Sequence, residues 1–463
     1  MSAGAATNGG RANAAASLEC SATAAVEAAV AAGAQDAEAW AERSTGTQIR
    51  VYGGAVESLS EAGGHGLGLR VFRGGAFGYA YTTDLGREGI EALVGAAQAA
   101  SLVADPDEFG GLPARCGTAD AGDLHSPALA AWSTERKVEL ALEIERAARA
   151  GEGISQVEDT VYSDSESATA IANSRGFSAS YEATSAWAYA SAFAGEGEDL
   201  MTGLGMGLAR EPGELDAEAI GTEAAERARA LSGARQPKSR RCAVVLDTFV
   251  AASFVGFIGG MLSADAVQRG RSLFAEHEGE EVASAAFQLA DDGTAAGGPS
   301  SSPFDGEGSP SERTQLIEGG RLQGFLHDVR TARKADREPT GNAARGSYRG
   351  PPGVSTTNLI LEPGEGDVEA LARTTGEGLY VADVAGLHSG VNPVSGTFSV
   401  GASGRLIEGG ELAAPVREIT IASDLVSMLK AVETVGAPAR WVPFGGSVKA
   451  APLLVAEMSV SGA

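Results

Sequence analysis

The sequence predicts an α+β fold in two parts: an N-terminal mixed sheet-and-helix domain, then a β-rich, barrel-like C-terminal domain. Three observations predict it. In the first half, alternating apolar segments lie between alanine-rich helical periods, the pattern of a sheet with helices packed on one side. In the second half, short β-prone runs recur at close spacing, separated by Gly or Pro, as in antiparallel, partly closed sheets. Between them, residues 232–241 are short, charged and broken by Pro237, and read as a solvated linker. The expected division is a disordered tail over 1–17, one domain over 18–236 and a second over 237–463.

After the tail, residues 18–32 form an alanine-rich helix that ends at Gly33. Segments 37–44, 48–51 and 56–60 alternate as strands, joined by turns at Thr45-Gly46 and Gly53-Gly54. Segments 66–72 and 76–81 make a hairpin across Arg73-Gly74-Gly75. A helix over 87–101 is broken by Asp105-Pro106-Asp107, and residues 134–150 are amphipathic through Val138, Leu142 and Ile144. Strands follow at 157–163, 168–172 and 176–191 around the Asn173-Ser174-Arg175-Gly176 turn, and 215–231 is helical again. In the second half an apolar helix over 250–262 packs on strands at 313–317, 324–328, 356–361, 379–384, 397–401 and 419–421. A helix over 423–435, capped by Ser423 and stopped by Gly436, precedes a closing strand pair over 448–458.

Composition narrows the function. A net charge of −26 argues against nucleic-acid binding, which needs clustered cations to replace phosphate counterions. The sequence offers no run of about 18 apolar residues, so no membrane span is expected. The first 20 residues lack a charged region followed by a Leu-rich core, which disfavours a secretory signal. Cys20, Cys116 and Cys242 are scattered and odd in number, as for reduced thiols in a cytoplasmic protein.

The titratable groups say little of catalysis. A zinc hydrolase needs imidazoles on a shared face, yet no two of His65, His125, His277, His327 and His388 lie within helical spacing. His277 sits in an acidic loop interrupted by Gly279 and reads as a solvated surface group. The Gly203-Leu204-Gly205-Met206-Gly207 run lacks the Lys-Ser/Thr of a phosphate loop. A serine nucleophile with His388 and Asp383 lacks the GxSxG elbow.

A series of motifs is more specific. An apolar stretch over 245–261 leads into Gln268-Arg269-Gly270-Arg271-Ser272, followed by Asp291-Asp292-Gly293, Glu318-Gly319-Gly320, Pro339-Thr340-Gly341-Asn342, the 387–393 segment ending in Asn392-Pro393, and 415–420. Singly, Thr-Gly-Asn and Asn-Pro are ordinary turn formers. In this order they closely resemble the TldD/PmbA family of metalloproteases, over roughly residues 40–460. In the catalytic branch of that family, the helix before the Arg-Gly turn carries a His-Glu pair and a second His that bind zinc, and a later strand adds a cysteine. Those positions fall here on Val255, Gly256, Gly260 and Ala402 (Gly401 or Ser403 in a neighbouring register). None of the four offers a ligand atom.

The resemblance therefore implies the PmbA (TldE) branch, with no catalytic and no metal-binding residue in this chain. It implies zinc in a TldD-type partner subunit, a heterodimer, and unfolded or leader peptides as substrates. Peptide docking, by extension of a sheet, falls to second-domain strands near Thr340, Gly341, Asn342, His388 and Asn392. The interface falls to the face from Phe249-Val250 to Phe257-Ile258 and to Trp441-Val442-Pro443-Phe444. Two alternatives stay open: an autonomous hydrolase of the same family using His388 or an untypical metal site, and a non-enzymatic peptide-binding scaffold.

Overall fold

The computed structural model describes residues 12–443 and 446–463. Its first half comprises α1 (Ala12–Ala31), β1 (Asp36–Tyr52), β2 (Ala55–Arg73), β3 (Ala76–Thr82), α2 (Arg87–Val103), α3 (Thr134–Arg149), β4 (Ile154–Asn173), β5 (Ser178–Ala194), β6 (Met201–Ala209) and α4 (Ala217–Ala230). The strands form one antiparallel sheet in the order β3-β2-β1-β4-β5-β6. Alternate residues of β1 point to one face. Ala37, Ala39 and Ala41 meet α1 and α2 there, while Ile49 and Val51 meet α3 and α4. Small alanines let the helices lie close to the sheet.

Several elements differ from the expectation, each for a nonlocal reason. The helix expected from residue 18 begins at Ala12, inside the stretch read as tail; residues 1–11 lie outside the described residues. Thr45-Gly46 is no turn: β1 runs straight through it because β2 and β4 pair with it on both sides. For the same reason 157–163 and 168–172 fuse into β4. The 203–207 run, weighed as a phosphate loop, is strand β6. A Cβ on Gly203 or Gly205 would come within 2.2 Å of the Ala224 carbonyl or 2.0 Å of the Ile220 carbonyl, so these glycines let α4 press onto the strand. By length and composition Ala14–Ala31 would suffice to cross a membrane, contrary to the expectation of no such run. In the fold, its Leu18, Ala22, Ala25, Val26 and Ala29 are buried against the sheet.

The second half comprises β7 (Arg240–Leu246), α5 (Thr248–Met261), α6 (Ala264–Gln268), β8 (Leu289–Asp292), β9 (Arg313–Glu318), β10 (Arg321–Leu322), α7 (Val329–Lys334), β11 (Ala343–Ala344), β12 (Gly353–Val354), β13 (Asn358–Leu361), α8 (Val368–Thr375), β14 (Gly378–Ala385), α9 (Leu387–Gly390), β15 (Thr397–Glu408), β16 (Glu411–Asp424), α10 (Leu425–Lys430), β17 (Val432–Val435), β18 (Arg440–Val442), β19 (Ser447–Ala450) and β20 (Leu453–Ser461). Strands β16-β15-β14-β7-β20 close into a five-stranded barrel through pairing of β20 with β16. A second sheet runs β10-β9-β8-β13-β19-β18, and α5 is buried in the apolar core that both share.

Here too the sequence misplaced elements. The strand expected at 324–328 is irregular backbone that leads into the Asp328 capping box of α7. The helix expected over 423–435 is only α10, capped by Asp424 rather than Ser423, because 432–435 pairs with β20. The expected closing pair is split between sheets: β19 pairs with β13 and β18, and β20 with the barrel.

Candidate functional site

The Pro339-Thr340-Gly341-Asn342 loop is held by its own side chains. The Thr340 hydroxyl accepts the His327 backbone N–H (2.8 Å) and donates to Asn342 Oδ1 (2.7 Å). Gly341 has φ +67°, and a Cβ there would lie 2.7 Å from the Pro310 carbonyl, so both the turn and the close approach require glycine. Asn342 is buried and donates to Asp291 Oδ1 (2.7 Å), which also takes the Thr357 hydroxyl (2.6 Å). Burial pushes the Asp291 carboxyl up from its ordinary value, and hydrogen bonds from Thr357 and Asn342 work against that rise. Asn342 is thus a brace between this loop and β8, with its carboxamide already engaged.

Beside the loop, a cleft of about 370 Å³ separates the two halves, bordered by Trp40, Tyr181, Arg210, Asp305, Gly341 and Arg345. Behind its Arg345 runs a buried ion network across the halves. Arg70 of β2 donates to Glu38 of β1 and to Glu307 (both 3.0 Å), and Arg345 pairs with the other carboxylate oxygen of Glu38. Burial works against the Arg70 guanidinium, but the Glu38 and Glu307 carboxylates outweigh it and hold its pKa above the ordinary value. Asp305 accepts the backbone N–H groups of Glu307, Ser309 and Ala343. Burial, with the nearby Glu307 charge, pushes its carboxyl up to about 8.

His388 and Asn392 sit elsewhere, on the exposed connection from β14 to β15. Asn392 Oδ1 accepts the backbone N–H of Val394 (2.9 Å) and Ser395 (3.1 Å), an Asx turn that shapes the tip. The structure therefore does not gather the five expected docking residues. Thr340 faces one cleft, Gly341 another, Asn342 is buried, and His388 and Asn392 lie on a separate loop. His277, read as a surface group, is exposed and paired with Glu280 at 2.7 Å.

Three family models match in order along the chain: PmbA/TldA metallopeptidase domain 1 over 37–101, the central domain over 127–232 and the C-terminal domain over 239–462. The chain belongs to the PmbA/TldD metallopeptidase family. A relative named "Metalloprotease" from Methanothermobacter thermautotrophicus is 30% identical over 407 residues, 85% of this chain and 86% of that protein. The "Metalloprotease PmbA homolog" of Haemophilus influenzae is 29% identical over 442 residues, 95% of this chain and 94% of its own. A solved Thermotoga maritima structure, described as a putative modulator of a DNA gyrase, aligns with TM-score 0.87 at 26% identity, covering 96% of this chain and 100% of that one. TldE from Thermococcus kodakarensis has the same fold, with TM-score 0.88 at 20% identity over 96% of this chain and 100% of its own.

In the PmbA/TldD frame, α5 is the helix to test for a metal. Asp247 caps it by accepting the Phe249 N–H (2.9 Å), and is held by Arg227 (2.8 Å) and the Tyr380 hydroxyl (2.6 Å). Phe254 meets Phe398 of β15 edge-on, with ring centroids 5.2 Å apart, which ties the helix to the barrel strand that carries Ala402. Val255 is fully buried among apolar side chains, Gly256 is buried, Gly260 is exposed and Ala402 is nearly buried. Zinc takes thiolate, imidazole or carboxylate ligands. This donor set holds none of them and does not fit the ion. Of the face considered for an interface, Phe249, Val250 and Ile258 are buried in the chain's own core and Phe257 is partly buried against it. Val442 is buried as well, and Phe444 lies outside the described residues.

Sequence reading missed the Glu38–Arg70–Glu307–Arg345 network. Its signal was present: Glu38 and Arg70 are charged residues inside otherwise apolar strand segments, and such charges are buried only when paired.

Proposed function

We propose that this chain is the metal-free, PmbA/TldE-type subunit of a two-component metallopeptidase that acts in the cytoplasm on unfolded or leader peptides. A TldD-type subunit supplies zinc and hydrolysis, and this chain supplies an interface and peptide docking. The observation that carries the reading is the donor-free set Val255, Gly256, Gly260 and Ala402 within a family of metallopeptidases. The names of the two relatives given above, both metalloproteases, and the likeness to a TldE fold agree with it.

Closure of the barrel uses up the edges of the strands that carry Ala402, so sheet extension there is blocked. An open edge is available on β2, because β3 pairs with it only from Leu67 onward. Its residues 55–65 are exposed on both faces, including Val56 and Leu59. Backbone hydrogen bonds along such an edge take up an extended segment largely irrespective of sequence. We assign peptide contact to the exposed His388–Asn392 tip and the cleft at Gly341, with Thr340 and Asn342 as braces behind. The test is co-expression with a TldD-type protein, followed by light scattering and cleavage of an unstructured peptide. A hetero-oligomer that cleaves only as the mixture is expected. A chain that stays separate while the TldD-type protein is fully active alone would overturn the reading.

A further inference from the structure

We infer that the cleft on the His327 side of the 339–342 loop is a binding site for a primary ammonium group. The cleft measures about 390 Å³ and is bordered by Gln268, Glu278, Gln315, Gln323, His327 and Thr340. Two of its polar atoms, His327 Nδ1 and Gln268 Oε1, are buried without a hydrogen-bond partner among the described residues. His327 as a whole is only 8% exposed. An unanswered buried polar atom costs about 1–3 kcal/mol, so two in one cleft mark a place built for a ligand.

The surrounding bonds fix which kind of ligand. Gln268 Nε2 donates to the Thr331 carbonyl at 2.8 Å, which orients its carboxamide with the oxygen as the unmatched end. Gln315 gives its NH₂ to the Leu289 and Ile317 carbonyls, and Gln323 gives its own to the Arg321 carbonyl. Gln315 commits both N–H groups to the protein, Gln268 and Gln323 commit one each, and all three leave their carbonyl oxygens as acceptors. The imidazole is held from behind by Thr340, through the backbone of His327. Burial lowers the His327 pKa. A neutral imidazole presents one acceptor nitrogen, and Nδ1 is the ring atom left buried without a partner. Glu278, tied to Arg337 at 2.8 Å, adds a carboxylate. The cleft therefore presents mainly acceptors, and its cation, Arg337, is paired with Glu278. A primary ammonium has three donors and no acceptor, and it occurs as a peptide α-amino group or as a lysine side chain.

The inference does not rest on the two-subunit reading, and its test needs neither partner nor cleavage. The isolated chain with ¹⁵N-labelled histidine is titrated with Ala-Ala-Ala amide, with its N-acetyl form and with Nα-acetyl-lysine amide, following the His327 imidazole by NMR. At least one amine probe should shift that signal, and the better of the two identifies the source. The N-acetyl peptide should bind at least tenfold more weakly, as expected for loss of a charge-assisted hydrogen bond. Gln268→Met should weaken binding by about tenfold, while Gln323→Glu, at an exposed position, should tighten it. That gain reports charge in the cleft and would not follow from a structural role. Equal binding of the acetylated peptide, a Gln323→Glu variant that does not tighten binding, or an unmoved His327 signal with all three probes, as for a bound water only, would each overturn the proposal.

Discussion

Helix α5 and the 339–342 loop lie in the same C-terminal stretch of family likeness, yet they are built on opposite chemistry. The helix carries nothing polar at Val255, Gly256 or Gly260 and is held by apolar packing, with Phe254 against Phe398. The loop is almost wholly polar: Thr340 grips the His327 backbone, Asn342 grips Asp291, and Arg345 in the adjoining cleft is one end of the Glu38–Arg70–Glu307–Arg345 network. The difference teaches where polar atoms serve the framework. Those of the loop and network are nearly all matched and join distant segments. The α5 positions that the resemblance aligns with metal ligands offer no donor atom.

This contrast can be broken most severely on its polar side. Glu38→Ala removes the carboxylate shared by Arg70 and Arg345, leaving Arg345 buried without its ion-pair partner. The expected loss is about 3–5 kcal/mol in urea unfolding, and a loss below about 1 kcal/mol would show that the network does not join the halves. Asn342→Ala takes one donor from the buried Asp291 carboxylate and should cost about 2–3 kcal/mol. It should also perturb amide signals of both β8 and the 339–342 loop.

Asp305 gives the contrast a pH dependence. Its folded carboxyl holds its proton up to about pH 8, against an ordinary value of 3.8 in the unfolded chain. Between those values the folded state binds more protons, so this contribution to stability is full at the acid end and is lost as pH rises through 8. Asp305→Asn carries no titrating proton. Its stability relative to the parent should therefore improve between pH 5 and pH 9, read by thermal melts at both; a constant difference would contradict the assignment. The smallest effect belongs to His388→Ala, at an exposed tip. It should change stability by under about 0.5 kcal/mol and leave the activity of a mixed complex within a few-fold, since no second imidazole is placed to share a proton. A hundred-fold loss in a folded, assembled variant would revive an autonomous hydrolase.

Much of this was legible because some local chemistry is decisive. Gly74 and Gly75 have φ of +61° and +82°, and Gly176 has +82°, so the two turns read from these residues are where they were expected. Thr45-Gly46 looked alike in sequence and was misread, since what keeps it extended is pairing on both sides, with Ala62 and Gly63 of β2 and with Ser165 and Glu166 of β4, the latter more than a hundred residues away in the chain. Gly203 and Gly205 signalled a loop for the same reason: what makes them a strand is the close approach of α4. At the site, Asp291-Asp292-Gly293 and Pro339-Thr340-Gly341-Asn342 stood out as motifs. The bond that joins them spans 51 residues, and no spacing rule announces it. His327 was visible as one of five histidines, but its place in a cleft depends on Gln268 and Thr331 meeting beside it.

The central claim is that α5 and β15 form a family framework without its metal. Metal analysis of the isolated chain, purified without an affinity tag and dialysed against excess zinc and then buffer, tests it most directly. The account predicts no stoichiometric zinc, since Val255, Gly256, Gly260 and Ala402 offer no ligand atom. One tightly held zinc per chain would contradict it.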